Sequence, residues 1–181
     1  MSLMIDDDTP EKDAETGSDA PPPKPKPSKE ERRLMRSAAR LAAVQALFQM
    51  ETSGADWRRI RREFETYRFG QTIEGVEFRE ADPDLFSMIL EGAVDNQAKI
   101  DQATHHALVA AWPIKRIDPT LRALFRAAGA ELVVGTVTPP RVIISEYVDV
   151  ARAFFPEGKE PGFVNAVIDR MAREIRPGAL D

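Results

Sequence analysis

Arginines are concentrated in one stretch of this sequence. Residues 32 to 62 contain eight arginines and only two acidic residues. On a helix with 100° per residue, Lys29, Arg33, Arg36 and Arg40 fall within an arc of about 60°. Guanidinium groups bind phosphates through paired hydrogen bonds and stack on bases, so this face predicts binding to a nucleic acid. The alternative is an ordinary solvated face of charged side chains.

A second group of arginines follows in the same stretch, at positions 58, 59, 61 and 62. We expect it to extend the basic surface. Such an asymmetry of charge within one domain is typical of proteins that bind polyanions.

Catalytic and metal-binding signatures are missing. The sequence has no cysteine, which excludes thiol nucleophiles and thiolate metal sites, and it has no phosphate-binding loop, GxSxG or HExxH motif. Adjacent helical residues point about 100° apart, so His105 and His106 cannot easily share a metal ion. Asp101 and His105 are expected to form at most one surface pair. We therefore expect no catalytic residue, metal or cofactor.

The acidic residues also have simple structural interpretations. Asp82 and Asp84 lie at a predicted helix start, where capping and the helix dipole favour acids. Glu146 and Asp149, followed by Arg152, are expected to form a solvated charged face. Neither pair predicts acid-base chemistry.

The first 31 residues differ in composition from the rest of the chain. They contain nine acidic residues, four lysines and six of the 14 prolines. This composition predicts a disordered tail at residues 1–31 and a helical domain at 32–178. The tail accounts for the whole net charge of -5. No apolar run approaches the ~20 residues of a membrane span and no export signal is visible, so we expect a cytoplasmic protein without membrane contact.

The spacing of apolar residues predicts the elements that position the arginines. A capping box at Ser28 and Glu31 begins a first helix that ends near residue 52. We expect Leu34, Leu41 and Phe48 to form its packed face.

The second helix is predicted to begin after Asp56 and to be followed by a loop that contains Gly70 and Gly75. Asp82 with Pro83 then begins a long helix toward Ala111, with a break near Gly92. Trp112 and Pro113 are expected to end this long helix.

Asp118 and Pro119 are predicted to begin the next helix. Residues 133–150 are ambiguous, because their many valines and isoleucines favour strands. Pro140 and the 3.6-residue period that follows favour a helix there. The last helix carries its apolar stripe over residues 164–175. The architecture predicted is all-α, with six or seven packed helices and no sheet.

Three segments of the sequence resemble, in chain order, the NusB family of transcription antitermination factors. They are RLAAVQALFQ at residues 40–49, PRVIISEYVDVARAF at 140–154 and FVNAVID at 163–169, where the family has FVNGVLD. Arg126 and Glu131 stand where the family has an R...YE pair. The resemblance runs from about residue 32 to residue 177, so it leaves out only the tail.

The resemblance implies a fold of two packed three-helix bundles and a function without catalysis. A NusB-like protein is expected to bind single-stranded boxA RNA of ribosomal RNA transcripts as a heterodimer with NusE, a ribosomal protein. The pair joins an RNA polymerase antitermination complex and supports processive transcription and ribosomal RNA maturation.

The resemblance also implies site residues. The expected RNA-binding residues are Arg32, Arg33, Arg36, Arg40, Lys159 and Phe163. The residues expected to face NusE are Arg122 and Glu131. Three positions depart from the family: Ser37 and Ala38 stand where arginines are frequent, and Ala166 replaces a glycine.

Two other functions remain open at this stage. A protein-only helical adaptor would use the arginines as a solvated face or to bind an acidic partner. An enzyme is the other alternative, because NusB-like domains also occur fused to ribosomal RNA cytosine methyltransferases. It would need a cofactor-binding domain, and these 181 residues contain no signature of one.

Overall fold

The computed structural model describes residues 26–108 and 114–181. The predicted tail up to residue 25 and the predicted helix end at Trp112 and Pro113 lie outside the described residues. The described helices and strands are α1 (Lys29–Ser53), α2 (Trp57–Tyr67), β1 (Thr72–Ile73), β2 (Val76–Glu77), α3 (Pro83–Asp95), α4 (Gln97–Ala107), a 3-10 helix (Ile114–Arg116), α5 (Pro119–Val134), α6 (Pro140–Phe154) and α7 (Glu160–Ile175). The all-α fold class is confirmed.

The predicted helix starts are confirmed by their capping hydrogen bonds. The backbone amide of Glu31 donates to Ser28 Oγ at 3.2 Å, and the Ser28 amide donates to the Glu31 carboxylate at 2.6 Å. Asp56, Asp82 and Asp118 accept backbone amides at the starts of α2, α3 and α5. Helix α1 thus begins at residue 29, three residues before the predicted boundary between tail and domain.

The long helix predicted from Pro83 is two helices, and the break lies at Asn96 rather than at Gly92. The Asn96 amide donates back to the carbonyls of Gly92 and Val94, which ends α3 before α4 begins. Gly92 serves packing instead. A Cβ atom there would lie 3.0 Å from the Val134 side chain, so its absence lets α3 and α5 approach closely.

A small antiparallel hairpin interrupts the loop between α2 and α3. Its strands pair Thr72 with Glu77 and Ile73 with Val76. Glu74 and Gly75 both have positive φ angles, 51° and 80°, as a two-residue hairpin turn requires. The expectation of no sheet is wrong here, because strands of two residues are too short to show an alternating pattern.

Helix α5 is the centre of the fold. Helices α1, α2 and α3 pack against one another, and α4, α6 and α7 pack with α5 in a second group. The second group has four helices because α4 is separate from α3. Helix α5 also packs against α1 and α3, so it joins the two groups. The prediction of a helix from Pro140 is confirmed by α6.

The packed face of α1 is rotated from the predicted one. Alanines at positions 39, 43 and 46 are fully buried, whereas Leu41 is only partly buried and Phe48 is 38% exposed. Small side chains on both α1 and α5 allow the two helices to approach closely. The prediction gave most weight to the largest apolar side chains and therefore placed Phe48 in the core.

No helix within residues 26–108 and 114–181 is both long and apolar enough to cross a membrane.

Candidate nucleic-acid interface

Four basic residues lie on one face of the first two turns of α1, within an arc of about 100°. We call them the α1 basic surface: Lys29, Arg32, Arg33 and Arg36. Arg32 donates to the carbonyl of Pro27 at 2.8 Å and is exposed. Arg33 is 62% exposed and pairs with Glu30 at 2.8 Å. Such exposed pairs contribute little to stability, so a phosphate can replace the carboxylate at small cost.

Arg36 is held in place by the fold. It is half-buried, and its Nη2 donates to Thr138 Oγ1 at 2.9 Å in the loop before α6. Nη2 is therefore fixed, and the other donors of Arg36 have no partner among residues 26–108 and 114–181, so they can bind a ligand. This anchor orients the guanidinium group without neutralising it.

Arg40, the fourth predicted RNA-binding arginine of α1, lies inside the protein. Its side chain is 2% exposed and forms two hydrogen bonds with Glu131, at 2.9 and 2.6 Å. A third bond joins it to Glu146 at 3.1 Å. Burial is the largest single influence and lowers the pKa of Arg40, but the hydrogen bond and charge of Glu131, together with the charges of Tyr147 and Glu146, raise that pKa above its ordinary value. The structure argues against the predicted RNA contact of Arg40, because its donors are taken by Glu131 and Glu146.

The same network corrects two further predictions. Glu131, expected to face NusE, is fully buried and holds Arg40. Glu146, expected on a solvated face, is 17% exposed and accepts hydrogen bonds from Arg40 and from Ser37 Oγ at 2.7 Å. Burial and the negative charge of Glu131 raise the pKa of the neighbouring Tyr147 phenol well above its ordinary value near 10.

Ser37 therefore has a structural role at the position where the family often has arginine. Its hydroxyl donates to Glu146 across the α1–α6 contact. Ala38, the other departure, is partly buried against the core. Ala166 lies exposed on α7, where alanine suits the helix better than glycine.

A groove with a volume of about 360 Å³ lies between α1, α2 and the ends of α5 and α6. Its lining consists of Val44, Gln45, Phe48, Gln49, Thr52, Arg68, Thr120 and Phe154. An exposed aromatic ring beside amide and guanidinium groups provides what unstacked bases bind, namely a stacking surface and hydrogen-bonding groups. The groove is thus a second candidate for nucleic-acid contact.

Sequence reasoning missed this groove, although a signal was present. On its helical face, Phe48 has the polar neighbours Gln45 and Thr52, at spacings of three and four residues, beside the apolar Val44. Polar residues at these positions indicate a face that is not fully covered. An aromatic residue in their midst is therefore a surface residue.

The predicted residues near α7 lie apart from the α1 basic surface. Lys159 is exposed and immediately precedes α7, at the end of α6 that carries Phe154. Arg36 contacts Thr138 at the opposite end of α6. The 15 residues of α6 separate the two positions by about 22 Å. Phe163 is half-buried and packs edge to face on Phe125, with ring centroids 6.0 Å apart.

Arg122, the other residue expected to face NusE, is engaged by the fold. Its side chain is 13% exposed, pairs with Glu51 and donates to the carbonyls of Ile114 and Ile117. The hydrogen bond from Arg122 holds the pKa of the Glu51 carboxyl below its ordinary value near 4.5. These contacts fix the 3-10 helix and α5 against α1.

The histidines contribute no metal site. His106 contacts Glu174 at 3.1 Å, and the His105 and His106 ring centroids are 6.2 Å apart. The expected surface pair of Asp101 with His105 does not form, since Asp101 pairs with Arg126 at 3.0 Å. Among residues 26–108 and 114–181, no cluster of His, Asp or Glu side chains could hold a metal ion.

Comparison with known proteins assigns the chain to a family. Residues 37–173 match the NusB family. The chain is 45% identical over 156 residues to the transcription antitermination protein NusB of Brucella melitensis, covering 86% of this chain and 91% of that protein. It is 48% identical over 141 residues to NusB of Brucella abortus, covering 78% and 82%.

Solved structures share the fold. NusB of T. maritima superposes with a TM-score of 0.62 and 28% identity, covering 77% of this chain and 91% of that chain. A chain from a crystal structure of the antitermination factors NusB and NusE in complex with dsRNA superposes with a TM-score of 0.60 and 18% identity, covering 81% and 99%.

Proposed function

The chain belongs to the NusB family, and we propose that it is an RNA-binding transcription antitermination factor. In this proposal it binds the boxA element of ribosomal RNA transcripts together with NusE. The complex then joins RNA polymerase, supports processive transcription and assists ribosomal RNA maturation.

The observation that carries the proposal is the α1 basic surface with the aromatic groove further along the same helix. Arg32 and Arg33 are exposed, and Arg36 keeps free donors although one nitrogen is anchored. Twelve residues separate Arg36 from Phe48, which places the groove about 18 Å along α1. Phosphates would bind the arginines while unstacked bases would enter the groove.

The NusE contact rests on the family resemblance alone. Glu131 offers no exposed group and Arg122 is bound to Glu51, so neither residue is proposed as a partner contact. Lys159 and Phe163 stay candidates for RNA contact, since they lie at the groove end of α6.

A protein-only adaptor is the second candidate function. The burial of Arg40 favours it, because this guanidinium group is removed from the surface. An acidic protein partner could use the arginines that remain.

Fluorescence anisotropy distinguishes the two functions. Labelled boxA-like RNA and a scrambled RNA of equal composition are titrated with the protein, with and without NusE, at two salt concentrations. Preference for boxA that tightens with NusE is the expected result. Equal weak binding to both RNAs in every condition would favour the adaptor and leave the family assignment intact.

A further inference from the structure

Three arginines in the first two turns of α2 form an exposed surface separate from the α1 basic surface. We call Arg58, Arg59 and Arg62 the α2 arginine surface. Their side chains are exposed and fall within an arc of about 100° on the side of the helix opposite the buried Ile60 and Phe64.

The fold leaves most of this charge unpaired. Arg58 stacks over the Trp57 ring at 4.6 Å and approaches Asp56 only at 4.0 Å. Within the part of the chain that the structure describes, Arg59 and Arg62 form no ion pair or hydrogen bond through their side chains. Arg61, by contrast, faces α3 and donates to Ser87 at 3.0 Å.

The position of these arginines is unfavourable for the isolated protein. Cations in the first turns of a helix oppose its dipole, and the first turn of α2 has no acidic residue. Arg58 and Arg62 are four residues apart, and Arg59 and Arg62 three apart, so like charges are neighbours. Glu63, four residues after Arg59, offsets part of this repulsion. A polyanion bound to this surface would remove both penalties.

The α2 arginine surface lies next to the groove. Glu63 follows Arg62 and accepts hydrogen bonds from Gln49, a groove-lining residue, at 3.3 Å. Glu63 lies about 40° from Arg59 around the axis of α2. An RNA chain that leaves the groove and passes over α2 would therefore reach Arg59 and Arg62 within a few nucleotides.

The α1 basic surface is at the other end of α1. Gly54 ends α1 and α2 runs back along it, so the start of α2 lies near the end of α1. From Arg33 to Met50 the helix rises about 25 Å. The two basic surfaces are thus too far apart to hold the same phosphates.

We propose that the α2 arginine surface binds the phosphates of transcript RNA that flanks boxA, without regard to base sequence. This rests on the proposed function, because the flanking RNA is brought there by boxA binding. Trp57 is 6% exposed and offers no stacking face, so the surface provides charge and little base contact. Such contacts contribute affinity and salt dependence but no sequence preference.

The test compares RNAs of different length on two double variants. Arg59→Ala/Arg62→Ala removes the two unpaired arginines, and alanine keeps the helix. Arg152→Ala/Arg173→Ala is the matched control, since it removes equal charge from exposed arginines of α6 and α7. The RNAs are a boxA-only oligonucleotide and the same oligonucleotide with ten flanking nucleotides of mixed sequence on the 5′ side or on the 3′ side.

The expected result is a loss of affinity confined to extended RNA. The unmodified protein should bind one of the extended RNAs more tightly than boxA alone, and Arg59→Ala/Arg62→Ala should abolish this gain. The slope of log affinity against log salt should fall by about 1.4 for that RNA, which is roughly 0.7 for each phosphate that the variant no longer neutralises. Binding of boxA alone should not change, and the control variant should behave as the unmodified protein does.

Other results would overturn the proposal and are distinguishable from failure of the proposed function. An equal loss of affinity for boxA alone would place the arginines in the boxA site. If Arg59→Ala/Arg62→Ala lost no affinity for any RNA, the α2 arginine surface would not bind RNA, and an acidic protein would be the partner to test. If the variant bound every RNA more tightly, an acidic segment of this chain would occupy the surface. If the unmodified protein binds no boxA RNA, the proposed function itself fails.

Discussion

The arginines of α1 and those of α2 are similar in sequence and differ in their surroundings. Along α1 the fold engages them progressively: Arg33 pairs at the surface, Arg36 is anchored to Thr138, and Arg40 is buried against two carboxylates. In α2, Arg59 and Arg62 point into solvent. Helix α1 packs against α5 and α6, which supply the acidic partners, and the loop between them supplies the hydroxyl of Thr138. Helix α2 packs against α1 and α3, and no other described helix covers the side that carries Arg59 and Arg62. Whether an arginine of this protein can bind a ligand therefore depends on the groups that pack against its helix, and not on its position in an arginine-rich sequence.

The largest expected effect comes from Arg40→Ala. Removing one partner leaves Glu131 buried without its counter-charge, so we expect the free energy of unfolding to fall by about 3–5 kcal/mol. Urea denaturation measures this decrease. Arg152→Ala is the control, because its exposed pair with Asp149 should contribute at most about 1 kcal/mol.

Nearly normal stability of Arg40→Ala together with lower RNA affinity would contradict a structural role of Arg40. That outcome would support RNA contact by Arg40, as the resemblance implied. Normal RNA affinity of the folded variant would support a purely structural role.

The next largest effect is expected from the triple variant Arg32→Ala/Arg33→Ala/Arg36→Ala. These arginines are the accessible part of α1, so boxA affinity should fall by at least about tenfold and the salt slope by roughly 2. Anisotropy at several salt concentrations measures both. The free energy of unfolding should change little, since Arg32 and Arg33 are exposed. An unchanged salt slope would contradict phosphate contact by these residues.

Phe48→Ala tests the groove that lies between the two arginine groups. Base stacking on an aromatic side chain contributes about 1–3 kcal/mol, and we expect the lower end because the Phe48 ring is only 38% exposed. The variant should keep the salt slope unchanged, in contrast to the arginine variants. Phe48→Tyr is the conservative control and should keep most of the affinity. A changed salt slope with unchanged RNA affinity in Phe48→Ala would contradict base stacking on Phe48.

The sequence predicted the helix starts and the fold, but not the groove or the buried network of Arg40. Helix starts were predictable because the capping signals at Ser28, Asp56 and Asp118 are local. The family and the overall fold followed from three motifs in order. The burial of Arg40 was not predictable, since it depends on Glu131, which lies 91 residues away in the chain and comes close only in the folded state. The exposure of Phe48 had a local signal in its polar neighbours, which the weight given to large apolar residues obscured.

Glu51→Gln tests another arginine partner that the fold engages, with a smaller effect. The hydrogen bond from Arg122 lowers the pKa of Glu51. The ionised Glu51 therefore stabilises the fold fully at pH values above its ordinary pKa near 4.5, and this stabilisation is lost as the pH falls through the lowered pKa. The stability difference between the two proteins should be at most about 1 kcal/mol at pH 7 and should shrink below pH 4.5. Thermal unfolding from pH 7 to pH 2 measures it. A difference that stays constant over this range would contradict the ionised pair.

The smallest expected effect is an increase of stability, in contrast to the decrease expected for Arg40→Ala. Arg59→Ala/Arg62→Ala should raise the free energy of unfolding by a few tenths of a kcal/mol, because it removes cations near a helix N-terminus and relieves like-charge repulsion. The increase should disappear in high salt, which screens both terms. Precise denaturation at low and high salt measures it, with Arg152→Ala/Arg173→Ala expected to show no gain because both arginines have carboxylate partners. A decrease of stability in the α2 variant would mean that the fold already uses these arginines, as it uses Arg40, and the difference between the two helices would no longer hold.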